Sequence, residues 1–258
     1  MTTFKQIALK AAKLAGDRLM RSYASLKDTD IEKKGAHDLV TSADFEANNA
    51  IISTIKHEYP DHDFYSEETG LEKNPESYMW VIDPLDGTLN YTLKIPLFCT
   101  AIALVRRREL LLSIIYAPML DELYYAERGA GAYLNDRRIK VSGNTRLIDA
   151  VITLSRSHHR DSHVRSAQVA QKLSRTAMNT RRLGSGSLDL AYVAVGRTDG
   201  VVIPPPDVSE WDVAPGALLV REAGGVVSDY GGKPWSLDSE SAIATNGLIH
   251  EQLIKAIA

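Results

Sequence analysis

The chain has 258 residues, of which 44% are hydrophobic and 24% are charged, and these values are typical of a globular protein with a large core. Its formal net charge of −3 argues against general electrostatic attraction to nucleic acid or to anionic lipid. The one cysteine, Cys99, excludes an internal disulfide framework and a cysteine-rich metal site. We expect it to be a small core residue.

The N-terminal segment resembles an amphipathic helix rather than a signal peptide, because apolar residues recur at helical spacing over residues 4–25 with charged residues between them. The longest apolar run, from Leu110 to Leu120, is interrupted by Ser113 and Pro118 and is too short to cross a bilayer. We therefore expect a cytoplasmic protein without a membrane partner.

The remainder of the N-terminal half predicts a second helix from about Ala43 to His57, with Ser42 as its N-cap. Short strands are expected at residues 63–66, 79–83, 100–105, 110–116, 123–127 and 132–134. The charged segment from Arg106 to Glu109 is interpreted as an exposed turn between two strands, with a basic interaction patch as the minor alternative.

After residue 145, strands and helices alternate. The predicted strands are 151–154, 180–183, 200–203, 226–228 and 242–245, and the predicted helices are 163–174, 187–195, 212–223 and 247–257. No repeat or flexible linker separates the two halves. We predict one domain over residues 1–258, with an N-terminal α+β lobe (1–145), a C-terminal α/β lobe (146–258) and a ligand site in the cleft between them.

The segment W-V-I-D-P-L-D-G-T, from Trp80 to Thr88, is the most informative in the chain. Apolar residues lead directly into two carboxylates, and Pro84 should end the strand just after Asp83 because it lacks a backbone donor. Asp83 and Asp86 lie close in a tight turn and repel each other unless a cation shares them. Oxygen ligands without nearby cysteine favour Mg²⁺, Mn²⁺ or Ca²⁺ over Zn²⁺. A plain turn with solvated acids is the alternative.

Three further acidic segments can complete the same site. The segment from Asp38 to Asp44 leads into a helix, where capping alone would explain its polar residues. Glu67 follows a predicted strand, and Asp212 lies in the first turn of a helix, where it would also complement the helix dipole. Each segment has an ordinary explanation, but their occurrence together does not.

Together these segments resemble the inositol monophosphatase family of Mg²⁺-dependent, lithium-sensitive phosphatases. The resemblance covers essentially the whole chain, and W-V-I-D-P-L-D-G-T and W-D-V-A-P-G are very specific to that family and its sugar- and nucleotide-phosphatase relatives. It implies an α/β fold layered as a five-layer α/β/α/β/α sandwich, and a homodimer. It also implies hydrolysis of a small phosphate monoester by direct attack of water. A haloacid-dehalogenase-type phosphatase would need its two acids closer in sequence, without the intervening Pro84.

The resemblance assigns the metal ligands residue by residue. Glu67, Asp83 and the backbone carbonyl of Leu85 would bind an activating Mg²⁺. Asp83, Asp86 and Asp212 would bind a second ion, with two or three ions in all and Mn²⁺ as a substitute. Two divalent ions about 4 Å apart stabilise both the attacking and the leaving oxygen of an in-line displacement.

The same resemblance assigns catalysis to Asp44, Glu67 and Thr88, which would orient the attacking water and accept its proton. Phosphate would rest on the backbone N–H groups of Gly87 and Thr88, since glycine permits close approach. Arg181 or Arg182 would reach the substrate or a neighbouring subunit, with a surface ion pair as the alternative. The substrate-binding residues are then Asp86, Gly87, Thr88, Arg181, Ser185, Gly186 and Asp212.

The substrate loop departs from the family pattern. Inositol-specific members have a glutamate, which binds a ring hydroxyl, at the position of Pro205 or, aligned from the other side, Ile203. Neither side chain accepts such a bond, and Asp207 or Glu210 would replace it only through a shift of the loop. An inositol phosphate or related polyol phosphate, histidinol phosphate, fructose 1,6-bisphosphate, NADP and adenosine 3′,5′-bisphosphate therefore all stay open.

Two further features have open assignments. The family has a metal-linked lysine before the first acidic segment, and Lys33 and Lys34 both compete for that role. The cluster of His158, His159 and His163 is interpreted as a solvated loop, with substrate or subunit contact as the alternative. A catalytically silent regulatory or binding protein is the different-class hypothesis, but such a protein should have lost one of the predicted ligands, and none is lost.

Overall fold

The computed structural model describes residues 3–26, 31–35, 38–68, 70–71, 77–156, 159–206 and 208–258. Within these ranges the α-helices are α1 (Phe4–Ser25), α2 (Ser42–Glu58), α3 (Thr88–Thr92), α4 (Arg160–Leu173), α5 (Gly186–Ala194), α6 (Glu210–Glu222) and α7 (His250–Ile257). The strands are β1 (Ile31–Gly35), β2 (Asp38–Thr41), β3 (Asp63–Ser66), β4 (Gly70–Leu71), β5 (Tyr78–Asp86), β6 (Cys99–Arg106), β7 (Glu109–Ala117), β8 (Glu122–Glu127), β9 (Gly131–Leu134), β10 (Arg137–Ile139), β11 (Val151–Leu154), β12 (Asn179–Arg181), β13 (Gly200–Ile203), β14 (Val226–Ser228) and β15 (Ala242–Thr245).

Helices and sheets stack in five alternating layers. Helices α1 and α2 pack on one face of an eight-stranded sheet with the order β10-β9-β8-β7-β6-β5-β3-β4. Helices α5 and α6 fill the middle layer, between that sheet and a five-stranded sheet with the order β12-β11-β13-β15-β14. Helices α4 and α7 cover the outer face of the smaller sheet. This arrangement confirms the predicted α/β/α/β/α sandwich.

The central strands of the large sheet are buried on both faces. In β6 every side chain from Cys99 to Val105 is buried, which confirms Cys99 as a core residue. Ile102 and Leu104 face the core under α1 and α2, whereas the smaller Ala101 and Ala103 face the middle helices. Because helices cover both sides, the strand lacks the alternation of apolar and polar residues that a half-exposed strand shows.

The middle layer depends on one glycine of α6. A Cβ added at Gly216 would lie 2.4 Å from the Cβ of Leu190 in α5, far inside van der Waals contact. The absence of a side chain therefore allows the two helices to pack directly against each other, and this fixes the position of both helix N-termini relative to the large sheet.

Several element boundaries differ from the predicted ones. Thr41, not Ser42, caps α2, because its hydroxyl accepts a hydrogen bond from Ala43 N at 3.2 Å. Helix α7 begins at His250, after Gly247 adopts a left-handed φ of +83°. The short strands β1, β2, β4 and β10 were not predicted. The segment between β6 and β7 is the expected exposed turn, in which Arg107 and Arg108 adopt positive φ.

Strand β5 does not end after Asp83 as predicted. Asp83 pairs with Ala101 and Asp86 pairs again with Cys99, and the register shifts between these two pairs. Pro84 therefore interrupts the ladder without ending the strand, since the residues around the shift are still held by β6. In the described part of the chain, no helix is both long and apolar enough to cross a membrane.

Candidate active site

Carboxylates from four segments meet at one end of the large sheet, beside the middle helices. The residue at the centre of this group is Asp83, which is buried at the end of the continuous part of β5. The pKa of Asp83 is raised well above its usual value, first by burial and then by the negative charges of Glu67, Asp86, Asp212 and Asp44. The structure thus brings together the acidic residues that the sequence predicted to share a site.

The register shift in β5 shapes the floor of this site. The backbone N–H of Leu85 donates to Oδ1 of Asp83 at 3.1 Å, and the carbonyl of Leu85 accepts from the Thr88 hydroxyl at 3.0 Å. Gly87 follows with a left-handed φ of 95°, and a Cβ there would lie 2.9 Å from the carbonyl oxygen of Leu97. Only glycine fits this turn, which starts α3 at Thr88.

Asp44 and Thr88, which the sequence analysis paired, lie within contact distance of each other. Oδ2 of the buried Asp44 accepts from the backbone N–H and the hydroxyl of Thr41, at 2.8 and 2.7 Å. Its other oxygen, Oδ1, lies 3.5 Å from the Thr88 hydroxyl. Because Thr88 has one hydroxyl proton, its shorter bond to the Leu85 carbonyl competes with this contact.

The N-terminus of α5 binds Asp86. Oδ2 accepts from the Ser185 hydroxyl at 2.8 Å and from Ser187 N at 2.5 Å, and Oδ1 accepts from Gly186 N at 3.2 Å. Burial raises the pKa of Asp86, and these hydrogen bonds oppose the rise. The structure therefore places Ser185 and Gly186 against Asp86. The substrate contact expected of these two residues stays a prediction.

Two residues around Asp86 were missed by the sequence analysis. Sγ of Cys99 lies 3.8 Å from Oδ2 of Asp86 and 3.7 Å from the Ser185 hydroxyl, and Ser187 supplies a backbone donor. The polar S-G-S run at a helix start was an available signal for Ser187. Nothing in the sequence indicated that the core residue Cys99 lies beside a carboxylate.

The first turn of α6 presents Asp212, and its neighbour Glu210 has a partner that the sequence did not reveal. The Asp212 carboxylate accepts from Ser209 N at 3.3 Å, so it also caps the helix. The Tyr65 hydroxyl donates to Glu210 Oε2 at 2.9 Å, and the Tyr65 ring packs edge-on against Trp211. Glu210 was named in the sequence analysis as a possible replacement for the substrate-binding glutamate of the family. In the structure its carboxylate instead accepts a hydrogen bond from Tyr65.

Arg181 does not join the carboxylate group in this structure. It is exposed on the edge strand β12, and its Nη1 donates to Asn179 Oδ1 and to the Thr180 carbonyl, at 2.5 and 3.0 Å. Arg182 instead donates to Ser166 Oγ on α4 at 2.7 Å. The substrate contact expected of Arg181 stays a prediction.

The remaining candidates lie at the edge of the described structure. His159 is exposed and caps α4, where its Nδ1 accepts from Asp161 N at 3.2 Å, and His163 lies within that helix. Pro205 is half-buried in the loop after β13. His158, Asp207 and the side chains of Asp38, Lys33 and Lys34 lie outside the described residues.

The donor set fits a hard divalent cation. The side chains that surround Asp83 offer carboxylate oxygens, and the Leu85 carbonyl lies beside them. Among the described residues, however, no three His, Cys, Asp or Glu side chains converge closely enough to hold an ion by themselves. That arrangement suits Mg²⁺, which keeps several water ligands and commonly binds through one or two carboxylates plus substrate phosphate rather than in an all-protein cage.

Comparisons with known proteins agree with this site. Residues 1–258 match the model of the inositol monophosphatase family. The chain is 41% identical over 257 residues to an inositol-1-monophosphatase of Mesorhizobium japonicum. The aligned region covers 97% of this chain and 94% of the relative. It is 35% identical over 251 residues to a fructose-1,6-bisphosphatase/inositol-1-monophosphatase of Thermotoga maritima, with 97% and 94% covered.

A solved structure shows the same fold. The crystal structure of the extragenic suppressor protein suhB from Bartonella henselae superposes with a TM-score of 0.92 at 37% identity, over 98% of this chain and 97% of that chain. Proteins of this family are generally metal-dependent and act on phosphorylated small molecules. The chain therefore belongs to the inositol monophosphatase family and is a phosphoric monoester hydrolase.

Proposed function

We propose that the protein is a Mg²⁺-dependent phosphatase that hydrolyses a small phosphate monoester, such as an inositol monophosphate or a related sugar or polyol phosphate, by direct attack of water. The observation that carries this proposal is the convergence of Glu67, Asp86, Asp212 and Asp44 on the buried Asp83. Buried carboxylates that repel one another are costly for the fold unless a cation compensates them.

The residues that would hold the cations are Glu67, Asp83, the Leu85 carbonyl, Asp86 and Asp212, with two or three ions expected in all and Mn²⁺ as a substitute. When bound, divalent cations at such a site stabilise the charge of the phosphoryl group and lower the pKa of water. Asp83 lies between the other acids, which supports a bridging role for it.

The chain's own residues supply positioning and proton transfer. Asp44 is a suitable acceptor for a proton relayed through the Thr88 hydroxyl, because Thr41 fixes the other carboxylate oxygen and holds Asp44 in place. The negative charge of Glu67 also acts on Asp83, so Glu67 is a second acidic group that can assist. The N–H groups of Gly87 and Thr88, at the tight turn after β5, would receive the phosphate.

The alcohol part of the substrate is the least restricted by the site. Pro205 offers no side-chain acceptor, and Glu210 is engaged by Tyr65. Both facts favour a substrate that differs from inositol 1-phosphate in its contacts with this loop. The names of the two relatives, inositol-1-monophosphatase and fructose-1,6-bisphosphatase/inositol-1-monophosphatase, support phosphorylated polyols and sugars as the first classes to test.

The test of substrate class is a phosphate-release screen with Mg²⁺ on inositol 1-phosphate, histidinol phosphate, fructose 1,6-bisphosphate, NADP and adenosine 3′,5′-bisphosphate. We expect turnover of at least one of them. A strong preference for inositol 1-phosphate would contradict the role given to Pro205. No phosphate release from any monoester would instead favour a catalytically silent regulatory or binding protein.

The test of the metal site is Asp83→Asn. We expect it to abolish metal-dependent turnover and the Mg²⁺-induced rise in Tm, while the metal-free protein is at least as stable as the wild type because one repelling charge is removed. Asp61→Asn, at an exposed position after α2, is the matched control. Near-normal activity of Asp83→Asn would contradict the assignment.

The family membership also supports two further expectations, a homodimer and inhibition by Li⁺. Light scattering coupled to gel filtration measures the mass of the particle, and Li⁺ titration of the phosphatase reaction measures the inhibition. A monomer at micromolar concentration, or an activity unaffected by Li⁺, would contradict the respective expectation.

A further inference from the structure

The side chain of Asn90 joins α3 to the segment that leads into α5. Asn90 is buried in the middle of α3, with 7% of its surface exposed. Its Nδ2 donates to the Leu97 carbonyl and to the Leu183 carbonyl, each at 2.7 Å. Leu183 lies between β12 and α5, 93 residues further along the chain. We call this pair of hydrogen bonds the Asn90 bridge.

The two partners of the bridge determine which residue type can form it. Both are carbonyl oxygens, which only accept hydrogen bonds, and the amide NH₂ of asparagine has one proton for each of them. A carboxylate of the same shape would place an oxygen atom against both carbonyls. The bridge therefore depends on the amide and not only on the size of the side chain.

Glycines pack closely against both ends of the bridge. A Cβ added at Gly87 would lie 2.9 Å from the Leu97 carbonyl oxygen, which is the atom that accepts from Asn90. At the other end, a Cβ added at Gly184 would lie 2.9 Å from both Nδ2 and Oδ1 of Asn90. The turn after β5 and the segment before α5 are therefore both in direct contact with the bridge.

A second connection joins the same two segments. Asp86, which precedes Gly87, accepts hydrogen bonds from the N-terminus of α5, and that N-terminus directly follows Gly184. The turn after β5 is thus tied to the start of α5 at two points. The Asn90 bridge uses no atom of a proposed metal ligand, so a cation that draws on Asp86 would leave the bridge in place.

The two connections lie between the two parts of the proposed substrate site. In the proposed function, the N–H groups of Gly87 and Thr88 receive the phosphate, whereas Ser185 and Gly186 contact the rest of the substrate. A substrate that reaches both parts is well oriented only when they are held at the matching separation, and small errors in position reduce turnover strongly.

We propose that Asn90 is a positioning residue for the hydrolysis, because its amide sets the distance between the phosphate-binding turn after β5 and the N-terminus of α5. Asn90 itself contacts neither the phosphate nor the attacking water in this assignment. The inference rests on the proposed phosphatase function and adds to it a residue that controls how the substrate as a whole is bound.

Three variants disturb the bridge in different ways. Asn90→Ala removes it, Asn90→Asp keeps the shape but replaces the donors by acceptors, and Gly184→Ala pushes a Cβ against the amide from the other side. The matched control is Asn246→Ala. Asn246 is also a buried asparagine whose Nδ2 donates twice, to the Ser142 hydroxyl at 2.9 Å and to the Asn144 carbonyl at 2.7 Å.

The control residue lies at the opposite end of the smaller sheet. The backbone N–H of Asn246 donates to the Asp199 carbonyl, just before β13 begins. Helix α5 starts beyond the end of β12, and β12 and β13 both run parallel to β11. Loss of the Asn246 side chain should therefore reduce stability without moving the start of α5.

The measurements are KM, for each compound of the phosphate-release screen that the wild type hydrolyses with Mg²⁺, and Ki for inorganic phosphate as product inhibitor. We expect KM to rise about tenfold in Asn90→Ala and Gly184→Ala, and more in Asn90→Asp. Ki should stay within about twofold, because inorganic phosphate needs only the turn after β5. In Asn246→Ala, Tm should fall while KM and Ki keep their wild-type values.

The double variant Asn90→Ala/Gly184→Ala tests whether the two positions act through one contact. Asn90→Ala removes the atoms that the new Cβ at Gly184 would meet. The KM of the double variant should therefore be no higher than that of the more affected single variant. Additive effects on KM would contradict a shared contact.

An unchanged KM in the folded variants would overturn the proposal, and so would KM and Ki that rise together, since Asn90 would then support the turn itself. Unfolding of all three bridge variants would also overturn it, because Asn90 would then be needed for the core. If the wild type hydrolyses no compound, the phosphatase proposal fails, and calorimetric Kd values for the same compounds and for inorganic phosphate replace KM and Ki. A change confined to the organic phosphates then supports the bridge, whereas no binding overturns both proposals.

Discussion

The hydroxyl of Tyr65 donates a hydrogen bond to Oε2 of Glu210 at 2.9 Å and so joins β3 to the first turn of α6. Glu67 lies two residues after Tyr65, and Asp212 lies two residues after Glu210. The Tyr65 ring also packs edge-on against Trp211, with ring centroids 4.9 Å apart. This contact therefore connects two segments that carry proposed metal ligands.

Removal of this hydrogen bond should loosen the metal site without unfolding the protein. Tyr65→Phe keeps the ring against Trp211 and loses only the hydroxyl. We expect the Mg²⁺ concentration for half-maximal activity, and the calorimetric Kd for Mg²⁺, to rise about 3- to 10-fold. A rise of this size corresponds to a fraction of the ~1.5–3 kcal/mol that a hydrogen bond to a charged group contributes.

Two matched variants test whether the effect is specific. Glu210→Gln retains an acceptor oxygen and should perturb Mg²⁺ binding less than Glu210→Ala. Tyr133→Phe removes a tyrosine hydroxyl that donates to the Ala130 carbonyl, at the far side of the large sheet, and should have no effect on Mg²⁺ binding. Unchanged Mg²⁺ dependence in Tyr65→Phe would show that the contact only adds stability.

Replacement of Asp44 should reduce the rate of the chemical step more than substrate binding. Asp44→Asn keeps the shape of the side chain but removes the base, and general-base catalysis typically contributes about 10²–10⁴-fold. We expect kcat to fall in this range with little change in KM. Thr88→Ser retains the hydroxyl that faces Asp44 and should stay within about tenfold of the wild type. A change in KM with kcat unchanged would contradict the proton-transfer role.

A side chain at Gly216 should destabilise the middle layer. In Gly216→Ala the new Cβ would lie 2.4 Å from both Cβ and Cδ1 of Leu190, so α5 and α6 have to move apart. Overpacking of this kind costs about 1–3 kcal/mol, which corresponds to a fall in Tm of roughly 2–4 °C per kcal/mol in a chain of this size.

The control for this prediction is Gly143→Ala. A Cβ at Gly143 has no atom within 4 Å among the described residues, and its φ is not positive, so thermal unfolding should be unchanged or slightly improved. An equal Tm for Gly216→Ala and Gly143→Ala would mean that α5 and α6 separate at no cost.

The buried His250 and the half-buried His62 should make the protein less stable in weak acid. His250 lies between the hydroxyls of Thr245 and Ser228, each 3.0 Å from a ring nitrogen. His62 accepts from Trp80 Nε1 at 3.0 Å. Burial lowers the pKa of both imidazoles below 6.5. The unfolded chain therefore binds protons before the folded protein does, and stability should fall as pH drops below 6.5 toward the lowered pKa.

Denaturant unfolding at pH 7.5, 6.5 and 5.5 measures this dependence. His250→Gln should make the fall in unfolding free energy between pH 6.5 and 5.5 shallower than in the wild type, because one proton-binding difference is removed. His57→Gln changes an exposed histidine at the end of α2 and serves as the control. A slope for His250→Gln equal to that of the wild type would contradict the assignment.

Much of the site could be predicted because local sequence patterns carry its chemistry. The W-V-I-D-P-L-D-G-T segment identifies a buried strand that ends in acids, and the left-handed Gly87 confirms the tight turn expected after it. Contacts between distant segments could not be predicted in the same way. Tyr65 and Glu210 are far apart in the chain, and Cys99 resembles any other core residue until its strand is paired with β5.

The sequence by itself determined the acidic segments and most of the helices and strands, because residue type and periodicity depend on neighbours along the chain. The layered fold was implied by the resemblance of its motifs to a known family. Only the tertiary structure decided which groups compensate those acids. Asp86 is held by the N-terminus of α5, Asp44 by Thr41, and Glu210 by Tyr65. Charge compensation depends on distances between segments, and these are set by the packing of the layers.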